Sequence, residues 1–450
     1  MSELFISGAV LIDPEAAQPF EADVLIRDGV IADIGHSGSI SCSDNAQTLD
    51  ARGLYLCPGF IDPHSHIDGH AYTAQLSLLQ GITTAVGGNC GFSPLHIGEF
   101  LSRQHGFPIH QAELIGMCAL REAAGVSDPF APADEQQAAV MGQMARSALL
   151  EGASGVSLGP AYTPGASMQE MIVLCRAAKD AGRPVSIDTR MHSMTDLNSL
   201  QEAIDLAAVS GCRMVVSHFV YQYGVGVEEE ALSMLEKARA RGVDIHLDSG
   251  MYKDWCSSIG SALFEPEVMR ENGIELHHLR VITGEHIGVV PDQALYEHLR
   301  SDHPHDAVSV NTGDQEAVYT IARCPLTMIS TDAGAYAPRE GHPQIAGSFP
   351  RFLREMVRER GEMTWNEAIR HITLLPAQVF SFAGKGRLRP GFDADLVLFD
   401  PKTIADRADF PGLGCPNLSP AGLVHVIVCG RLAVKDGALT GVNAGNPIAR

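Results

Sequence analysis

Between residues 58 and 382, short apolar runs alternate with helical patterns, and most of the runs end in a residue that carries chemistry. The runs read GFIDPHSH, TTAVGGN, AELIGMC, GVSLGP, PVSIDT, RMVVSHF, DIHLDSG and LTMISTD. Several are separated by stretches with apolar residues at helical spacing, among them SMQEMIVLCRAAKDAG, LNSLQEAIDLAAVSG and EEEALSMLEKARARG. Each of these closes on glycine, which ends a helix well because it enters the left-handed region without a Cβ penalty. Such alternation calls for a parallel sheet with crossover helices. Eight strands over about 280 residues predict an α/β fold closed into a (β/α)8 TIM barrel.

The two ends of the chain have a different texture. FISGAVLID, ADVLIRDG and VIADIGH alternate apolar and polar positions, and Asp28-Gly29 is a two-residue hairpin turn. KGRLRPGF, ADLVLFDP and HVIVCGRLAVKDG repeat the pattern at the far end. They predict one small β-sandwich built from residues 1–57 and 383–450, flanking a barrel over 58–382. Two separate β extensions are the competing arrangement.

Composition narrows the function classes. A formal net charge of -22 opposes a nucleic-acid partner, since phosphate binding needs basic surface. It leaves room for small anionic substrates, because local charge in a site can oppose the global sign. The start, MSELFISGAVLIDPE, lacks the basic and apolar regions of a signal peptide, and no run of about 18 apolar residues predicts a membrane span. Ten cysteines are scattered with no C-x-x-C pair, which predicts reduced thiols in a cytoplasmic protein. Homo-oligomers are compatible with this composition.

A parallel barrel binds ligands where its strands end and its βα loops begin. Those ends carry His64 and His66, Cys90, Asp188, His218, His246 or Asp248, and Asp332. Residues two apart on a strand project to one face, so His64 and His66 point together and can grip one metal ion. Cys90, in GGNCGFSP, is either a buried thiol in a tight loop or a thiolate ligand opposite the histidines. His218 ends MVVSHF and is a similar candidate. Asp332, in MISTDAG, either caps a turn or orients a water and takes its proton. His246 reads more readily as a satisfied core histidine.

With these residues assembled, the chain resembles the amidohydrolase superfamily, and within it the N-acyl-D-amino-acid deacylase group. The resemblance runs through PGFIDPHSHIDG, GITTAVGGNCGFSP, GVSLGPAYTPG, VVSHF, STDAG, HPQIAGSFPRFL and GRLRPGFDADLVLFDP. It implies a hydrolase of a small-molecule amide C–N bond that uses one or two zinc ions. By the same resemblance, His64 and His66 hold one metal position, Cys90 holds or bridges the next, His218 is the sixth-strand ligand and Asp332 is the general base.

The sequence also departs from that group. Asp188 stands where the group has a fifth-strand histidine, so Asp188 becomes the ligand, or His192 swings in, or the second metal is lost. Val220 and Gln344 replace a lysine and an arginine that resemble anchors for a substrate carboxylate. Arg190, Lys253 or Arg339 would have to compensate, unless the substrate lacks a free carboxylate. Tyr162, His192 and Tyr252 are candidate donors to the substrate or its oxyanion. Two alternatives remain: a cyclic-amide hydrolase of the hydantoinase or dihydroorotase kind, with Cys90 in place of a lysine bridge, and a non-catalytic barrel that serves as scaffold or binding protein.

Overall fold

In a computed structural model that describes residues 3–191 and 195–449, all eight apolar runs form strands. They are Phe60–Asp62, Ile82–Gly87, His110–Gly116, Gly155–Leu158, Val185–Ile187, Met214–Val216, Ile245–Ser249 and Thr327–Ile329, paired in parallel in that order. Seven of the eight are buried along their whole length. That is the pattern of a parallel sheet covered on both faces. Ile61, Val86, Leu114, Val215 and Met328 fill the inside, while Leu158, Ile187, Val216 and Leu247 face the surrounding helices.

The barrel closes beyond its first and last strands. The Asp332 N–H donates to the His64 carbonyl at 2.9 Å, and the His66 N–H donates to the Ala333 carbonyl at 2.8 Å. Two candidate site segments therefore form the seam.

Local sequence explains the helices that set the strand spacing. Helix Glu135–Leu150 starts at an Asp134/Gln137 capping box, and Met168–Asp180 at a Ser167/Glu170 box. Leu197–Ser210 ends on Gly211 at φ 67°. Glu170 also binds Arg121 at 2.7 Å, a fully buried pair that joins the helices after the third and fourth strands.

Both ends of the chain contribute to one nine-stranded sheet. Strand Tyr55–Pro58 pairs antiparallel with Leu396–Phe399, so the two halves meet in its middle. Asp28 and Gly29 make the expected hairpin turn, at φ 48° and 85°. KGRLRPGF is not a strand. Its Lys385 is instead drawn under the sheet by Asp393, at 3.0 Å, and by Asp395. Asp395 also holds His110, at the start of the third barrel strand, at 3.1 Å.

The His-rich stretch between the seventh and eighth strands has its own architecture. Trp255–Ser258, Leu279–Val281 and Ala307–Val310 form a three-stranded antiparallel sheet. Trp255 stacks on Phe264 with ring centroids 5.6 Å apart. Trp255, Cys256, Ser257 and Leu263 face the barrel mouth, so this insertion roofs the site.

Candidate metal centre and active site

The ends of the first, second, fifth, sixth and eighth strands converge on a cavity of about 210 Å3. At its base, Cys90 Sγ lies 3.4 Å from His64 Nε2 and 3.6 Å from His218 Nε2. His64 Nε2, His66 Nε2 and Asp332 Oδ1 form a second group, with Asp332 at 3.5 Å from His64 and 3.4 Å from His66. The two groups share His64. Asp188 stands at the rim, with Oδ2 3.6 Å from His218 Nε2 and Oδ1 accepting from Gln222 at 2.8 Å.

Left-handed backbone concentrates here. Asp68, Cys90, His218 and Asp332 have φ of 37°, 55°, 31° and 49°. Each costs a non-glycine residue on the order of 1–3 kcal/mol, and such strain persists only where surroundings hold it. Gly159 is part of that hold, because a Cβ there would meet the Cys90 carbonyl at 2.1 Å. Gly88, at φ 73°, approaches the Leu114 carbonyl just as closely, 2.2 Å from where its Cβ would stand. The glycines of GGNCGFSP thus allow the loop to turn the thiol inward.

Electrostatics favours a cation. Burial pushes the Cys90 thiol well up, and the carboxylates of Asp188, Asp332 and Asp248 push it further. Burial also opposes an ionised Asp332, but a hydrogen bond from His66 and the charges of His64, His218 and His66 hold it well below the usual carboxylate range. A positive ion among these groups would relieve the crowding. The donor set of imidazole nitrogen, thiolate sulfur and carboxylate oxygen suits a borderline-soft metal. His64 is already oriented to bind one, since Asp248 Oδ2 lies 3.2 Å from Nδ1 and leaves Nε2 directed at the cluster.

The sequence pattern of the amidohydrolase family covers residues 55–423. The chain belongs to the amidohydrolase family. It is 29% identical to a D-aminoacylase of Alcaligenes xylosoxydans xylosoxydans over 100% of this chain and 98% of that one. An N-acyl-D-glutamate deacylase of the same organism is 31% identical, over 95% and 93%. In structure, a D-aminoacylase with a binuclear metal centre superposes with a TM-score of 0.87 at 26% identity, covering 99% of both chains. A Bordetella bronchiseptica N-acyl-D-glutamate deacylase, complexed with zinc and a phosphonate mimic of the tetrahedral intermediate, gives 0.86 at 28% identity, again over 99% of both. The amidohydrolase family and the deacylase-like (β/α)8 fold with its terminal β domain are thereby shown, and with them a metal-dependent hydrolase of amide C–N bonds.

The remaining sequence candidates fall in different places. Tyr162 lines the cavity, its hydroxyl kept protonated by burial. His192 lies outside the described residues. Arg190 is held by Glu202 at 2.8 Å and by the carbonyls of Pro164 and Ala166, so its charge is spent on the scaffold. Tyr252 is buried behind the mouth, under Arg351 at 4.4 Å and against His342. Arg339 is exposed and binds Asn417 through its backbone. Lys253 faces a separate surface pocket. None of the last three lines the cavity.

His246 pairs with Asp244 at 3.0 Å, at the opposite end of its strand from the mouth. Sequence reasoning passed over Asp248 as a positioning group, although it is the strand-end residue of DIHLDS. It holds His64, accepts the His218 N–H at 3.0 Å and accepts Ser330 Oγ at 2.9 Å. Tyr221, Trp255 and Tyr336 also line the cavity and had no motif to mark them.

Proposed function

We propose that this chain is a zinc-dependent deacylase of N-acyl-D-amino acids or their uncharged analogues. The observation that carries the reading is the convergence of Cys90, His64, His218, His66 and Asp332 on one roofed cavity. The zinc-complexed deacylase relative supports the metal. His64, Cys90 and His218 would hold one ion, with His66 and Asp188 available to it or to a second. When bound, such an ion supplies a Lewis acid that polarises a carbonyl and acidifies water.

Asp332 does the proton work. Ionised and fixed by its N–H bond to His64 and by Gln344 Nε2 on its own carbonyl at 2.9 Å, it accepts one proton as the water oxygen bonds to the acyl carbon. That proton moves to the nitrogen as the C–N bond breaks, leaving a carboxylic acid and a free amine. Tyr162 is placed to donate to the substrate or to the developing oxyanion. The insertion keeps bulk water from the intermediate.

Two observations shape the substrate. Among the described residues, the cavity lining contains no lysine or arginine. Gln344, which replaces the family's arginine, is tied between Tyr221, at 2.7 Å, and Asp332. These favour an amine portion whose carboxylate is amidated, cyclised or missing. Lys179 is exposed on its helix, so a lysine bridge of the hydantoinase kind is not available from it. Among the described residues, no helix is long and apolar enough to cross a membrane. A cytoplasmic location belongs to the same reading, on the scatter of the ten cysteines along the sequence.

Metal content per chain, followed by turnover of paired N-acyl-D-amino acids and their carboxamides, tests the reading. Stoichiometric zinc with stereoselective release of the D-amine is the expected result. A protein that takes up no metal when zinc is supplied would show a binding barrel instead.

A further inference from the structure

Next to the metal cavity lies a second one of about 510 Å3, more than twice its size. The two share Tyr162, Met191, Leu263 and Ala161 as a common wall. The lining of the larger one is mostly apolar and includes Phe92 and Phe130, whose side chains are unusually open at 46% and 68% exposure. Its one charged lining residue among those described, Arg190, is neutralised by Glu202. A volume of this size lies within the range of small-molecule sites.

Topology tells which end of an amide faces it. The leaving nitrogen must approach Asp332, at the end of the eighth strand. In a ring of eight, the fourth strand stands opposite the eighth, and the larger cavity opens over the loops that follow strands two to five. With the amine at Asp332, the acyl portion is directed across the mouth, past Tyr162, toward Phe92 and Phe130. We propose that the larger cavity is an acyl site and that the preferred substrates carry an extended apolar acyl group. This rests on the amide-hydrolase reading and adds the substrate class to it.

Burial of each additional methylene is worth about 0.8 kcal/mol, or about fourfold in affinity. Lengthening acetyl to octanoyl on one D-amino acid carboxamide should therefore raise kcat/KM at least tenfold, chiefly through KM. Ala262→Trp, from the roof of the larger cavity, should bring that ratio toward one. Direct binding gives a readout free of turnover. Octanamide should bind metal-free protein saturably in isothermal titration calorimetry, and Ala262→Trp should weaken that binding.

Saturable octanamide binding, weakened by Ala262→Trp, together with an octanoyl preference, is the expected outcome. Octanamide binding without hydrolysis of any N-acyl-D-amino acid or carboxamide would retain the acyl site and remove the deacylase reading. Equal or better turnover of acetyl substrates, or octanamide binding that Ala262→Trp leaves unchanged, would overturn the acyl site and leave the hydrolase intact.

Discussion

Asp248 sits 3.2 Å from Nδ1 of His64, and the same carboxylate accepts the backbone N–H of His218 at 3.0 Å. One buried group on the seventh strand thus positions two candidate ligands from the first and sixth. Asp248→Asn keeps the shape but removes the charge that favours a proton on Nδ1. Zinc affinity should fall about 10–100-fold, the usual effect of losing such a partner. Competition with a chelator of known affinity measures this, and circular dichroism confirms the fold.

Cys90 and Asp332 should separate metal binding from proton transfer. Cys90→Ala is expected to lower zinc per chain in elemental analysis, because Sγ is the atom common to His64 and His218. Asp188→Ala should lower it less, since Asp188 meets His218 at 3.6 Å but lies outside the His64, Cys90 and His218 group.

Asp332→Asn leaves the His64, Cys90 and His218 set intact. It should retain metal and lose about 10²–10⁴-fold in kcat, with little change in KM. Loss of metal in this variant would instead make Asp332 a ligand first and a base second.

The amine side of the cavity should be indifferent to a carboxylate. Converting a substrate's α-carboxylate to a carboxamide is expected to change kcat/KM less than threefold or to improve it. A site with a cationic anchor would lose on the order of 2 kcal/mol, about thirtyfold, when that partner is taken away. Steady-state kinetics on matched pairs decides the point.

The His110–Asp395 pair gives stability an alkaline limit. Burial alone would lower the His110 pKa, but the Asp395 carboxylate overrides it and pushes the value up to about 9. A basic group raised above its unfolded value of about 6.5 stabilises the fold fully below that pH and loses the contribution as pH climbs through about 9. Thermal midpoints should therefore decline between those limits. His110→Gln should flatten the decline and destabilise the protein at neutral pH, by up to about 3–5 kcal/mol if Lys385 does not take over Asp395.

The barrel was legible in the sequence because its strands are short, wholly buried and capped by glycine-ended helices. Residue identity at strand ends then located His64, His66, Cys90, His218 and Asp332, since a strand's direction fixes where its last side chain points. Groups whose role depends on a distant partner were not legible. Arg190 looks like a free cation until Glu202 and two carbonyls occupy it. Asp248 looks like a ligand competitor until His64 is found above it. The insertion was legible as a His-rich stretch, open between a lid over the mouth and a solvated loop, but its sheet was not: WCSS, LRV and AVSV are too short to show alternation, and their pairing partners lie tens of residues away. KGRLRPGF shares the turn residues of its neighbours but lends Lys385 to a buried ion pair rather than its backbone to a sheet.

The seam between Tyr55–Pro58 and Leu396–Phe399 also bears on how the molecule is made. Cys57 and Val397 are neighbours in one sheet yet 340 residues apart in sequence. A ribosome adding about 5–20 residues per second leaves that strand edge without its mate for roughly 20–70 s. Unpaired backbone on an exposed edge invites strands from other chains. Biogenesis, more than the finished enzyme, is where this architecture is vulnerable: slower elongation lengthens the exposure, and a chaperone that shields the first 58 residues during synthesis should raise the yield of folded protein.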